Sequence, residues 1–133
     1  MTITPNALFH ADCIGMMQRM EPESIDLVYL DPPVPLSSSE CESGLSRDID
    51  DYSYQQLQLI SRACQETHRV MKPTGVLFFH AHPSSAFTIR LILNQVFGEG
   101  HFRSEIVWQF QRGPSSRAGR SGNLPGWVLR ELR

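Results

Sequence analysis

The tetrapeptide Asp31-Pro32-Pro33-Val34 concentrates hydrogen-bond acceptors and almost no donors. Neither proline has a backbone N–H, so their carbonyls project from a stiff turn without amide neighbours, and Asp31 adds a charged acceptor beside them. Such a site suits an amino group. The lone pair of an aromatic exocyclic amine is delocalised into its ring, and two acceptors holding its hydrogens favour the tetrahedral nitrogen that can attack an electrophile. Methyl transfer is one reaction of this kind. The same residues also make a rigid exit from a strand, so their surroundings decide between the two readings.

Other chemistry-bearing residues point less sharply. His80 and His82, two apart on a strand, face the same way as metal-binding pairs do, but no third ligand follows at a suitable spacing. They read as a polar pair near a strand end, and no metal site is expected. Trp108 and Phe110 alternate, which fits either core packing or a platform on which a flat ring stacks. Ser84 and Ser85 lie near His82 without a glycine elbow and read as helix caps. Cys13, Cys41 and Cys64 show no paired spacing, so neither a zinc site nor a disulfide framework is indicated, and a reducing compartment fits.

These residues need elements to position them. Asp12 can cap a short helix with Ile14, Met17 and Met20 at helical spacing, ended by Glu21-Pro22-Glu23-Ser24. Ile25 to Leu30 is nearly all apolar and reads as a strand buried on both faces, as in the centre of a parallel sheet. Asp31-Pro32-Pro33 then lies at its carboxyl end, where ligands bind in open α/β sheets. Val34 to Asp51 is rich in Ser, Pro, Asp and Glu without a period and reads as a mobile loop.

Ser53-Tyr54-Gln55-Gln56 has capping-box form, and Leu57, Ile60, Cys64, Thr67 and Met71 trace one face of a helix that stops before Lys72-Pro73. Thr74-Gly75 reads as a turn into a second buried strand, Val76 to Phe79. Pro83-Ser84-Ser85 opens a second helix with Ile89, Ile92 and Val96 on its core face and Gly98 at its end. Ser104 to Phe110 is a third strand. The βαβαβ order predicts an open, mostly parallel sheet with helices on both faces.

The chain has 133 residues, 41% hydrophobic and 20% charged, with a formal charge of −2. That balance excludes disorder and a generic polyanion binder, and it fits one domain with its own core. The average conceals an asymmetry. Residues 1–100 hold six basic and twelve acidic side chains, whereas residues 101–133 hold six arginines and two glutamates. Lys72 is the only lysine, and arginine's planar fork pairs bidentately with phosphate or guanine. The start lacks a signal-peptide pattern and no apolar run is long enough to span a bilayer, so a cytoplasmic setting is expected.

Several ordered segments resemble the amino-methyltransferases that modify adenine or cytosine in DNA with S-adenosylmethionine. Phe9 to Cys13 followed by Ser24 to Pro33 resembles that family's entry into its catalytic motif. Arg69-Val70-Met71-Lys72-Pro73-Thr74-Gly75 resembles the next helix-to-strand turn. Phe97-Gly98 and Phe102-Arg103-Ser104-Glu105-Ile106-Val107-Trp108 are similar to the stretch leading into target recognition. The resemblance runs over roughly residues 8 to 123 and is closest to the permuted branch called class β. It implies a Rossmann-like fold, a base flipped from double-stranded DNA, and Asp31 with the Pro32 carbonyl gripping its amine, with Pro33 and Val34 completing the catalytic segment. It also implies that Asp31 and His80 lie at the cofactor and that Arg112, Arg117 and Arg120 contact DNA, in the setting of restriction and modification.

The family pattern is departed from at three places. Position 34 is an aromatic residue in the family, where it stacks on the extruded base, and Val34 has no ring; Tyr52 and Tyr54 are the nearby substitutes. Position 82 is acidic in the family and is a histidine here. The Phe-x-Gly-x-Gly cofactor loop occurs nowhere in the sequence. In class β the catalytic half comes first, target recognition second and the cofactor half last.

The expectation is therefore a catalytic-motif half in residues 1–112 and, in residues 113–133, a basic loop that begins target recognition or an altered C-terminus. The enzyme would be truncated or split, its cofactor site supplied by a second chain or a further C-terminal half. The alternative is an inactive fragment that keeps the fold and weak DNA binding. A different nucleotide-handling α/β protein would need a phosphate-binding glycine loop after a strand, which the sequence lacks.

Overall fold

The computed structural model of the protein describes residues 6–33, 53–81, 85–111 and 123–132. In chain order they form α1 (Cys13–Met17), β1 (Ile25–Leu30), α2 (Tyr54–Val70), β2 (Met71–Ala81), α3 (Ala86–Phe97), a single 3₁₀ turn at Glu99–His101, β3 (Phe102–Gln111) and β4 (Asn123–Leu132). Among the described residues no helix is long and apolar enough to cross a membrane. The expected loop from Val34 to Asp51 lies outside them.

Local signals set the helix ends. Asp12 caps α1, its carboxylate accepting from the Gly15 amide at 2.6 Å. Ser53 and Gln56 make the expected capping box: the serine hydroxyl accepts from the Gln56 amide, and the Gln56 side-chain oxygen accepts from the Ser53 amide at 2.7 Å. Gly98, at φ 90°, ends α3 in a conformation that side chains disfavour. Ser85 precedes α3 but makes no side-chain capping bond, contrary to its reading as a cap; it is buried instead.

β2 begins earlier than expected. Thr74-Gly75 is not a turn between helix and strand but an irregularity within one strand of 11 residues. Opposite β1 the register jumps from Ile25↔Met71 to Leu27↔Val76, so extra β2 residues are absorbed there. Gly75 makes this possible, since a Cβ at that position would lie 2.9 Å from the Lys72 carbonyl oxygen and 3.3 Å from that of Ile25.

The sheet order is β1-β2-β4-β3. β1 and β2 are parallel, and β4 is antiparallel to both its neighbours, so β1, β2 and β3 run one way and β4 the other. The expected α/β, Rossmann-like architecture is found, but of the expected mostly parallel sheet only the β1–β2 pairing is parallel, the other two among the described residues being antiparallel. Two further details differ. β4 is an addition to the expected elements, because Pro125 and Gly126 argue against a strand interior. The β2 ladder reaches only from Trp127 to Leu132, so Pro125 sits where β4 has β3 alone beside it, a position that tolerates a missing N–H.

The second difference concerns β1. Its apolar run predicts a central strand, yet among the described residues it is an edge strand paired only with β2. Ile60 and Cys64 of α2, Leu77, Phe79 and Ala81 of β2, and Ile89 and Leu93 of α3 form one core cluster, with Val28 and Leu30 of β1 packed against it. Both long helices therefore cover the same face; the expected helix layer on the other face is not seen among the described residues. There Leu27 and Tyr29 are 57% and 54% exposed.

Candidate functional site

A cavity of about 350 Å³ opens at the carboxyl end of β1. Asp31, Pro32 and Pro33 form one side, Asp12 and Cys13 at the start of α1 another, and Ile60 of α2 and Phe79 of β2 part of an apolar floor. Its size and its mix of apolar wall with a few convergent polar groups are those of a small-molecule site. The position follows from topology: strand order brings the β1 exit beside α2, and α1 is held there by Arg69. That guanidinium donates to the Met20 carbonyl at 3.1 Å and to the Met17 carbonyl, and pairs with Glu66 at 2.8 Å. Thr67, wholly buried, places its hydroxyl 3.6 Å from the Met17 sulfur and adds to the same seam.

Asp31 is exposed and reaches His80. Its Oδ1 lies 2.9 Å from Nδ1 of His80. The β1–β2 register explains the contact: Leu30↔Phe79 is the last pair, and positions 31 and 80 come one step later on the face opposite the helices. An ionised carboxylate only accepts, so Nδ1 carries the hydrogen in this pair, leaving Oδ2 of Asp31 available to a second donor. Phe79 points into the core and His80 away from it, so Asp31 stands where the covered and uncovered faces meet.

Asp31, Pro32 and Pro33 are thus brought together on the cavity wall, whereas His80 touches Asp31 without lining the cavity. Val34 and His82 lie outside the described residues, as do Tyr52 and the three arginines Arg112, Arg117 and Arg120. Tyr54 is exposed in the first turn of α2 and is not on the cavity wall. From sequence, Asp12 reads only as a helix cap and Cys13 carries no signal. The capping signal is correct, yet nothing local shows that α1 turns its first residues toward the β1 exit. Among the described residues no three His, Cys, Asp or Glu side chains gather as a metal site. Burial pushes the Cys64 thiol up to about 12, so this cysteine is an inert part of the core.

Known proteins similar to this chain are DNA methylases. The family model for DNA methylase of the N6/N4 type matches residues 25–124. Similar curated proteins include the type II methyltransferase M.HpaI of Haemophilus parainfluenzae, 27% identical over 86% of this chain and 35% of its own length. The type II methyltransferase M2.LlaDCHI of Lactococcus lactis subsp. cremoris is 27% identical over 77% of this chain and 40% of its own. A Thermus thermophilus protein, a candidate DNA modification methylase solved in complex with S-adenosyl-L-methionine, superposes with a TM-score of 0.61 at 15% identity. That match covers 92% of this chain and 53% of the other, and shows a shared fold.

The chain spans between a third and two fifths of the length of these two curated relatives. With the family model covering the β1 exit, both long helices and three of the four strands, the chain belongs to the N6/N4 DNA methylase family.

Proposed function

We propose that this chain supplies the amine-gripping part of a DNA methyltransferase that modifies the exocyclic amino group of adenine or cytosine, with S-adenosylmethionine as donor. The observation that supports the proposal is the cavity at the β1 exit, where Asp31, Pro32 and Pro33 line one side above an apolar floor. The amine donates its two hydrogens, one to Asp31 and one to the Pro32 carbonyl. Bent out of conjugation, its nitrogen becomes the nucleophile. His80 occupies Oδ1 of Asp31 and so fixes which oxygen faces the amine.

The residues present fit the proposed donor. A sulfonium and an ammonium group favour a rim of acceptors, and the described wall carries Asp12 and Asp31 but no lysine or arginine. Its apolar side suits the rest of such a molecule. When bound, the donor supplies an electrophilic methyl group. Because Phe-x-Gly-x-Gly is absent from the sequence, the backbone loop that approaches the donor's methionine part must come from other residues, in the same polypeptide or in a second one. Arg112, Arg117 and Arg120 are proposed to contact DNA phosphates, and a cytoplasmic setting suits that substrate.

A second reading, a chain that keeps the fold and weak DNA affinity without transferring methyl groups, is favoured by Val34 and by the absent loop. Fusing this chain to the portion of the Haemophilus parainfluenzae relative that it does not match, and following labelled methyl transfer to double-stranded DNA, separates the two. Transfer that falls about 100-fold or more in Asp31→Ala supports the proposal. No transfer by the fusion, with DNA binding that weakens as salt rises, supports the second reading. Restoring a ring with Val34→Tyr is expected to raise turnover roughly tenfold.

A further inference from the structure

Gln56 lies on the cavity wall, and the grip on the amine makes no use of it. Its side chain is oriented by the capping box of α2. The Ser53 amide donates to Oε1 at 2.7 Å, and only the oxygen of a carboxamide can accept there, so the other arm is Nε2 with its two hydrogens. Among the described residues nothing accepts from them. The rest of the wall is short of donors. Asp12 and Asp31 only accept when ionised, Pro32 and Pro33 have no backbone N–H, and the Cys13 thiol is a weak donor. Asp12 is also engaged already, by the Gly15 amide. A ligand complementary to this wall therefore brings hydrogens to Asp31 and a lone pair to Gln56.

We propose that Gln56 is a specificity-determining residue of this site, an assignment that rests on the methyl-transfer reading: Nε2 donates to the ring nitrogen beside the amino group of the target base, while Asp31 and the Pro32 carbonyl hold the amine. Adenine and cytosine share this edge pattern, since in each an unprotonated ring nitrogen lies next to the exocyclic amine. Guanine and thymine have the reverse, a ring N–H beside a carbonyl. Set against Gln56 and Asp31, their pattern puts donor against donor and acceptor against acceptor, and leaves polar groups of the site unpaired. Acceptors alone would hold any amine. The donor among them adds a check on the ring that carries it. The capping bond has also fixed the Gln56 amide before any ligand arrives, so little side-chain freedom is lost on binding. One residue thus closes the end of α2 and reads the base.

Gln56→Glu tests the assignment, because it keeps the oxygen that caps α2 and replaces the donor by a second acceptor. The variant should fold as the parent chain does, which far-UV circular dichroism checks. In the fusion with the unmatched portion of the Haemophilus parainfluenzae relative, methyl transfer to double-stranded DNA is expected to fall about 100-fold in Gln56→Glu. Replacing the target base by 1-deazaadenine or 3-deazacytosine deletes the ring nitrogen and leaves the amine. The parent fusion is expected to lose about tenfold on that base, and the Gln56→Glu fusion to show no preference for the natural one. The chain alone gives a readout free of catalysis. Its Gln56 side-chain amide signals in nuclear magnetic resonance, identified by their loss in Gln56→Glu, should shift with millimolar adenosine or cytidine and not with the matching deaza nucleoside. The proposal is overturned if transfer falls less than about twofold in Gln56→Glu, or if both fusions lose equally on the deaza base. Where the fusion transfers nothing, it is overturned if adenosine and cytidine leave the Gln56 signals unmoved. Shifts in the chain alone without transfer by the fusion would instead leave the recognition intact and count against the methyl-transfer reading.

Discussion

On one face of the sheet Leu77, Phe79 and Ala81 disappear beneath α2 and α3, while on the other Leu27 and Tyr29 are more than half exposed. The two sets come from paired strands and have similar composition, so residue type does not explain the contrast. What differs is the cover. Two helices of 17 and 12 residues lie on the first face, and no described element lies over Leu27 and Tyr29 on the second. The stability of the described fold therefore resides in the covered layer, to which the exposed Leu27 and Tyr29 add little.

The contrast can be broken or sharpened by substitution. The largest effect is expected for Leu77→Ala. Leu77 is 0% exposed, so the change leaves a cavity under the helices and should lower the free energy of unfolding by about 2–5 kcal/mol in urea denaturation. A loss below about 1 kcal/mol would mean that the core is not packed as described.

Alkali probes the same layer through Cys64. Burial raises this thiol to about 12 in the folded chain, whereas an unfolded thiol titrates near 9. The folded form therefore holds its proton longer. Its contribution is complete below about pH 9 and falls between about pH 9 and 12, by roughly 1.4 kcal/mol per pH unit. Unfolding measured across that range should show the slope, and Cys64→Ala should remove it even though the variant starts out less stable.

A smaller loss, about 1 kcal/mol, is expected for Ser53→Ala, which breaks the capping box of α2. Thermal melting of that variant reports how far the covering helix depends on its own end. At the bottom of the scale stands Leu27→Ala, expected to change stability by no more than about 0.5 kcal/mol. The same residue type in the neighbouring strand thus gives the extremes of the series, and comparable costs at positions 27 and 77 would erase the distinction between the faces.

Much of this is legible in the residues. The helical spacing of Leu57, Ile60, Cys64 and Thr67 locates the buried side of α2, and an apolar run closed by Asp31-Pro32-Pro33 puts that exit at the rim of a sheet. Three features are not legible. β4 escapes because Pro125 and Gly126 contradict strand propensity, and only the one-sided pairing of that stretch makes them acceptable. The bulge at Gly75 looks like a turn because glycine serves both purposes and the deciding contact, with the Ile25 carbonyl, is remote in sequence. β1 reads as central from a pattern that does describe a central strand; its neighbours are a property of topology that no local run encodes. In the site, Asp12 is visible and its role at the cavity is not, since that depends on Arg69 and Thr67 fastening α1 from far along the chain.

The seating of β4 between β2 and β3 has a consequence for how the polypeptide assembles. Among the described residues β3 touches the rest of the sheet only through β4, although it emerges from the ribosome earlier. Until residues 123–132 have been made, β3 has no slot to enter, and β2 presents an unfilled flank. β4 is made after both of the strands it joins, so this sheet waits on a long-range closure that is slow compared with helix formation. A nascent chain halted shortly before Asn123 is expected to be a target for proteases and chaperones, whatever chemistry its finished form performs.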